Sequence, residues 1–211
     1  MFARNKGFSF VFALLAVVLV LTGCEGKKSE ENADYSSKVK ENPIVTITMN
    51  NDEKIVIELE PSKAPNTVAN FISLVKKGFY DGLIFHRVVP DFMIQGGDPS
   101  GNGTGGPDYS IEGEFSSNGF KNDLKHERGV ISMARSQDLN SAGSQFFIMV
   151  KDTSQLDGQY AAFGKVIEGM ETVDAIAAAE RDDEKPLKDQ QMKKVEVDTK
   201  GFDYPAPKVL K

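Results

Sequence analysis

The chain has 211 residues, 40% of them hydrophobic, enough for one sizeable domain with appendages. A formal net charge of −6 without a basic stripe argues against a nucleic-acid partner. Two histidines, His86 and His126, argue against a His-rich metal site, and the single cysteine, Cys24, excludes an internal disulfide.

Residues 1–23 read as a secretory signal. Arg4 and Lys6 form a positive start, and the apolar run from Phe8 to Leu21 is short of the roughly 20 residues that a spanning helix needs. Leu21-Thr22-Gly23-Cys24 resembles the lipobox of bacterial lipoproteins, which implies cleavage before Cys24 and a diacylglyceryl group on its thiol. The alternative is an ordinary signal, or an uncleaved anchor, with an incidental cysteine. Residues 24–42 are then expected to be the lipidated cysteine and a flexible tether. Half of residues 25–42 are charged, and only Ala33, Tyr35 and Val39 are apolar. As a coil the tether would span ~25 Å. The expected location is the outer face of a bacterial cell membrane, where acyl chains contribute about 0.8 kcal/mol per buried CH₂.

The folded domain is expected over residues 43–200, followed by a tail over 201–211. Ile44 to Met49 and Lys54 to Glu60 are β-rich and joined by an Asn50-Asn51-Asp52 turn. Pro65 sits at a first helical position, Val68, Phe71, Ile72 and Val75 follow at helical spacing, and Gly78 supplies a stop. Short β-like runs follow at Leu83–Val89, Phe92–Gly96, Val130–Ala134, Phe146–Val150 and Ala162–Val166. A second helix is predicted over about 170–179, and Met192 to Asp198 reads as a closing strand. Residues 180–191 are charged and read as a solvated surface loop. Many short strands with two helices predict a mainly β protein, a closed antiparallel barrel or a sandwich.

The chemistry concentrates in five blocks. Phe85-His86-Arg87-Val88-Val89-Pro90 runs into Phe92-Met93-Ile94-Gln95-Gly96-Gly97-Asp98. Period-2 alternation would put Phe85 and Arg87 on one face and His86 on the other. Gly103-Thr104-Gly105-Gly106, Ser132-Met133-Ala134, Gly143-Ser144-Gln145-Phe146-Phe147 and the stretch from Leu156 to Val166 complete the set. The glycine-rich run lacks a phosphate-loop Gly-Lys-Ser/Thr, and Ser144 lacks the following glycine of a nucleophile elbow.

In this order the blocks resemble the cyclophilin signature, from about Ile44 to Asp198. The resemblance implies a closed eight-stranded antiparallel β-barrel capped by two α-helices, and peptidyl-prolyl cis/trans isomerase activity without cofactor or metal. It places the catalytic arginine on Arg87 and the substrate-orienting amide on Gln95. The proline pocket falls on Phe92, Met93, Phe147 and Leu156, the groove wall on Ala134, a neighbouring amide on Gln145, and the glycine-rich edge on Asn102 and Gly103. His86 lies beside the arginine. Gln155 stands where the best-known eukaryotic members carry Trp, Tyr160 where they carry His, and Arg135 replaces an Asn. The implied partners are proline-containing exported polypeptides, with cyclosporin A as a weakened inhibitor of a monomeric enzyme.

Each residue also has a plainer explanation. Arg87 could be a surface ion-pair partner, the apolar four ordinary core, and Gln95 a partner for buried backbone. His86 is expected to be structural and His126 exposed. The competing functions are a proline-peptide-binding module or holdase, whose turnover is incidental, and a hydrolase or metalloenzyme, for which neither a triad nor a ligand set is spelled out in sequence. An isomerase needs only an environment that favours the twisted imide over its planar forms, against a barrier near 18–20 kcal/mol. Arginine as a residue type holds its charge across the ordinary pH range, so a broad pH profile is expected.

Overall fold

The computed structural model describes residues 1–2 and 35–211. The signal segment, the lipobox with Cys24 and the first part of the tether lie outside the described residues. The chain divides into two compact units, and the architecture below is that of the unit from Asn32 to Lys211.

Strands β1 (Ile44–Met49) and β2 (Lys54–Leu59) form the predicted hairpin. Alternation buries Val45, Ile47 and Met49 from one, and Ile55, Ile57 and Leu59 from the other. Helix α1 (Pro65–Lys76) begins with proline at its start, as expected, but its N-cap Ala64 offers no side-chain bond. Glu114, far away in sequence, supplies it instead. Its carboxylate accepts from the backbone N–H of Asn66 at 3.0 Å and of Thr67 at 2.7 Å, and from the Thr67 hydroxyl at 2.7 Å. An anion there satisfies orphan donors and complements the helix dipole. The apolar face of α1 carries Phe71, whose ring packs against Tyr80, Phe146 and Phe163.

The remaining elements are β3 (Arg87–Val89), β4 (Met93–Gly96), β5 (Val130–Met133), β6 (Phe146–Met149), β7 (Ala162–Glu168), α2 (Met170–Ala177), the small hairpin β8 (Arg181–Asp182) and β9 (Lys185–Pro186), and β10 (Met192–Asp198). Eight strands build one antiparallel sheet in the order β10-β1-β2-β7-β5-β6-β4-β3. The sheet is strongly curled but open, a half-barrel, and this corrects the expected closed barrel. β3 and β10 are edges and do not pair. Closure requires tilted strands that meet in register, and β3 is only three residues long. Its free edge is met by loop backbone: Val88 N–H donates to the Glu184 carbonyl at 2.7 Å and Phe85 N–H to that of Gln190 at 2.9 Å.

Residues 180–191, expected as a solvated loop, thus contain a hairpin laid along the β3 edge of the sheet. The tether also differs from expectation. Tyr35–Lys38 forms a 3₁₀ turn, and buried Tyr35 stacks on Phe202 (5.9 Å) and meets Tyr204 edge-on (5.4 Å). Its hydroxyl donates to the Pro65 carbonyl at 2.7 Å. Among the described residues the docked body therefore already includes Tyr35, ahead of residue 43, and takes in part of the tail expected over 201–211. Composition misses this because a charged segment needs only one buried ring to dock on a core that already exists.

Candidate active site

The sheet register assembles the site. Arg87 pairs with Gln95, which pairs with Phe147, while Val89, Met93 and Met149 align two residues along. Residues two apart share a face. Val88, Ile94, Phe146 and Ile148 therefore point into the main core, and Met93, Phe147 and Met149 form a second, smaller cluster on the other face with Val130 and Ala162. Phe92, Ala134, Leu156 and Tyr160 pack against that cluster. An apolar pocket arises on this outer face.

A groove of ≈ 790 Å³ runs over the pocket. It is lined by Arg87, His86, Phe92, Met93, Gln95, Asn102, Gly103, Ala134, Phe147, Leu156 and Tyr160, which is every sequence-predicted catalytic and substrate-binding residue except Gln145. Gln145 lines the adjoining hollow of ≈ 350 Å³ together with Gln95, Gly103 and Ala134. The expected separation of His86 from Arg87 does not hold: both line the groove. Ladder pairing starts only at Arg87, so alternation does not reach back to His86.

A chain of polar side chains crosses the groove. Arg87 donates from Nε to Glu184 Oε2 at 2.5 Å, from Nη2 to Glu184 Oε1 at 3.1 Å, and from Nη1 to Gln95 Oε1 at 3.2 Å. Gln95 Nε2 donates to Gln145 Oε1 at 2.9 Å, and Gln145 Nε2 to the carbonyls of Gly103 at 3.1 Å and Gly105 at 2.9 Å. The Arg87 hydrogen bond holds the Glu184 carboxyl below its ordinary range. Asp98 fixes the far rim, accepting from the backbone N–H of Ser100, Asn102 and Gly103 at 2.7, 2.9 and 2.5 Å. Gly97 makes the turn into this rim at φ +84°, and a Cβ there would collide with the Ser144 carbonyl.

His126, expected to be exposed, has a fully buried side chain. Its Nδ1 lies 3.2 Å from Asp157 Oδ1 and its Nε2 3.1 Å from the Ser132 hydroxyl, while its ring stacks over Phe147 at 6.1 Å. Burial pulls its pKa below the ordinary histidine value, although Asp157 opposes this. Burial raises the Asp157 carboxyl, but hydrogen bonds from His126 and the nearby Lys125 outweigh it and leave that pKa lowered. The Ser132–His126–Asp157 chain has the composition of a hydrolytic triad. Ser132 is wholly buried under Phe147 and does not line the groove, so it offers no nucleophile to a ligand. Its role is to brace the pocket floor. His86 is buried with neither ring nitrogen hydrogen-bonded, and burial together with Arg87 lowers its pKa. On the opposite wall Arg135 lies over the Tyr160 ring at 4.7 Å and the Phe115 ring at 5.2 Å.

Glu184, His126, Ser132 and Asp157 are absent from the sequence-predicted set. Asp157, directly after Leu156, and Ser132, in the Ser132-Met133-Ala134 block, lie within the motif blocks; Glu184 and His126 carry no local signal.

An open groove with an apolar pocket, a guanidinium at its lip and a row of amides along it suits an extended peptide bearing a compact apolar ring. The comparisons give this class of protein its family. Residues 44–197 match the family model for cyclophilin type peptidyl-prolyl cis-trans isomerases. The chain is 50% identical over 118 residues to peptidyl-prolyl cis-trans isomerase B of Bacillus subtilis, covering 56% of this chain and 79% of that one. It is 48% identical over 121 residues to a peptidyl-prolyl cis-trans isomerase-like 2 of Cryptococcus neoformans, which covers 57% of this chain but only 21% of that much longer one. A crystal structure of a Cryptosporidium parvum cyclophilin superposes with TM-score 0.66 at 36% identity, covering 72% of this chain and 96% of its own. This chain belongs to the cyclophilin-type peptidyl-prolyl cis-trans isomerase family.

Proposed function

We propose that this protein catalyses cis/trans rotation of X-Pro bonds in exported polypeptides, as a monomer held by lipid on Cys24 at the outer face of a bacterial cell membrane. The observation that carries the catalytic part is Arg87 at the lip of the pocket formed by Phe92, Met93, Phe147 and Leu156. The pocket takes the proline ring and excludes water. When the imide twists, its nitrogen recovers a lone pair and becomes an acceptor for an Arg87 N–H. A charge-assisted bond contributes roughly 1.5–3 kcal/mol, and it forms with the twisted state rather than the planar ones, so it lowers the barrier. Gln95 holds the carbonyl side of the rotating bond, Gln145 steadies Gln95 from the neighbouring hollow, and Ala134, Tyr160, Asn102, Gly103 and His86 shape the walls. No nucleophile or proton transfer is required. The Cryptosporidium relative was crystallised in the presence of the dipeptide Ala-Pro, a compound of the kind expected as substrate here.

A protease-coupled assay on a proline peptide separates this reading from that of a passive proline-peptide binder. Acceleration by the wild type is expected, and tight binding without acceleration would favour the binder. The anchor is tested by Cys24→Ala. Wild type should enter the detergent phase and the variant should leave it; equal partition would mean that the apolar segment itself is the anchor. The lipobox pattern and the absence of any other cysteine support this part. Cyclosporin A is expected to bind weakly, because Gln155 replaces a tryptophan whose indole would cover apolar surface.

A further inference from the structure

The turn of the β8–β9 hairpin brings a carboxylate to Arg87. The hairpin is tied to β3 at two successive residues: the Glu184 carbonyl accepts from Val88 N–H at 2.7 Å, and its carboxylate grips Arg87 through Nε and Nη2 at 2.5 and 3.1 Å. Such two-pronged pairing fixes the plane of a guanidinium, not merely its position. A guanidinium has five N–H groups. Glu184 takes two and Gln95 a third, from Nη1. One N–H on each terminal nitrogen is left for a ligand in the groove.

We infer that Glu184 is a positioning residue for Arg87, holding the guanidinium so that one of its two remaining N–H groups meets the nitrogen of the twisting imide. The inference rests on the reading of Arg87 as the donor to substrate. Stability is a poor reason for the pair: the side chains are 39% and 42% exposed, and exposed pairs contribute about 0–1 kcal/mol. Orientation is a better one. A free arginine side chain must lose rotamer freedom each time it makes the catalytic bond, whereas a donor already held needs no reorganisation when the imide twists. A carboxylate serving as a latch against substrate would be expected to span both Nη atoms. Glu184 takes the Nε side and leaves Nη1 to Gln95.

The test is Glu184→Ala in the full chain, with kcat and KM measured on an X-Pro peptide. Misplacing a catalytic group by about 1 Å costs up to ~10²-fold, so kcat is expected to fall on the order of tenfold with KM changed less than about twofold. Glu184→Gln keeps one acceptor without the charge and should fall between. In ¹⁵N spectra the Arg87 Nε–H signal should be protected in the wild type and lost in Glu184→Ala. Adding Glu184→Ala to Arg87→Ala should cost nothing further, because the residue acts through Arg87. Unchanged kcat in Glu184→Ala, with Arg87→Ala inactive, overturns the inference alone, and a raised kcat overturns it in favour of an inhibitory latch. Full activity in Arg87→Ala would instead overturn the donor reading on which it stands.

Discussion

The two halves of the groove are built differently. One half stands on the ladder of β3, β4 and β6, where Arg87, Gln95, Met93 and Phe147 are placed by backbone register. The other half stands on connections: the segment with Ala134 and Arg135, the turn from Ser154 to Tyr160, and the β8–β9 hairpin with Glu184. On a ladder, a one-residue slip would turn every side chain to the wrong face, so the chemistry is held rigidly. Loops tolerate replacement without moving the scaffold. The departures from the pattern that the sequence resembles, Arg135 and Tyr160 with Gln155 beside them, lie on the connections rather than on the ladder. The division predicts that the ladder, with Glu184 holding its arginine, governs turnover and that the rest of the loop half governs affinity.

The largest effect should come from the ladder. Arg87→Ala is expected to lower kcat/KM by roughly several hundred-fold, which corresponds to about 3–4 kcal/mol of transition-state stabilisation, while the melting temperature stays close to that of wild type. A folded variant with near-normal turnover would break the division at its strongest point.

Acid should act next, through the brace beneath the ladder. His86 and His126 both have folded pKa values below the ordinary 6.5. In the window below 6.5 the unfolded chain binds more protons than the native one, so stability falls as pH drops through that window toward the folded values. Melting temperature should therefore decline between pH 7 and pH 5, and His126→Gln should flatten the decline. The paired carboxylates lose their contribution only at lower pH, because the pKa values of Asp157 and Glu184 are depressed. A slope unaffected by His126→Gln would mean that the buried ring is not what the acid attacks.

Smaller effects are expected on the loop half. Arg135→Ala removes the cation stacked on Tyr160 and Phe115, a contact of about 0.5–1 kcal/mol at an exposed site. KM should rise about two- to fivefold with kcat preserved. A fall in kcat instead would show that the wall takes part in turnover. Smallest for turnover is Gln155→Trp: Gln155 is exposed and does not line the groove, so peptide isomerisation should stay within a few-fold. Cyclosporin A inhibition, titrated in the same assay, should tighten, because a tryptophan can shield on the order of 150–250 Å². Unchanged inhibition would shift attention to Tyr160 and the loop after Arg135.

Much of this was legible in the sequence, for identifiable reasons. β1 and β2 announce themselves by alternation, α1 by Pro65 and its apolar spacing, and the groove by motif blocks that are local in sequence. What escaped was non-local. Glu184 sits in a charged stretch whose composition matches any solvated loop, and its value comes from a partner 97 residues away. His126 lies among polar neighbours, yet its ring is buried because Phe147 and Tyr160 close over it. Tyr35 looked like part of a tether because the rings that receive it, Phe202 and Tyr204, are at the other end of the chain.

The sequence by itself therefore determined the strands of the main sheet, the two α-helices, the family and the groove residues that lie in the motif blocks, since periodicity and motif spacing are properties of short stretches. Only the tertiary structure decided that the sheet stays open, that His86 joins Arg87 in the groove, and that a carboxylate grips the guanidinium. Each depends on which edges and side chains meet across long separations, where the hydrogen-bonding demand of buried or half-buried polar groups, rather than local propensity, selects the partner.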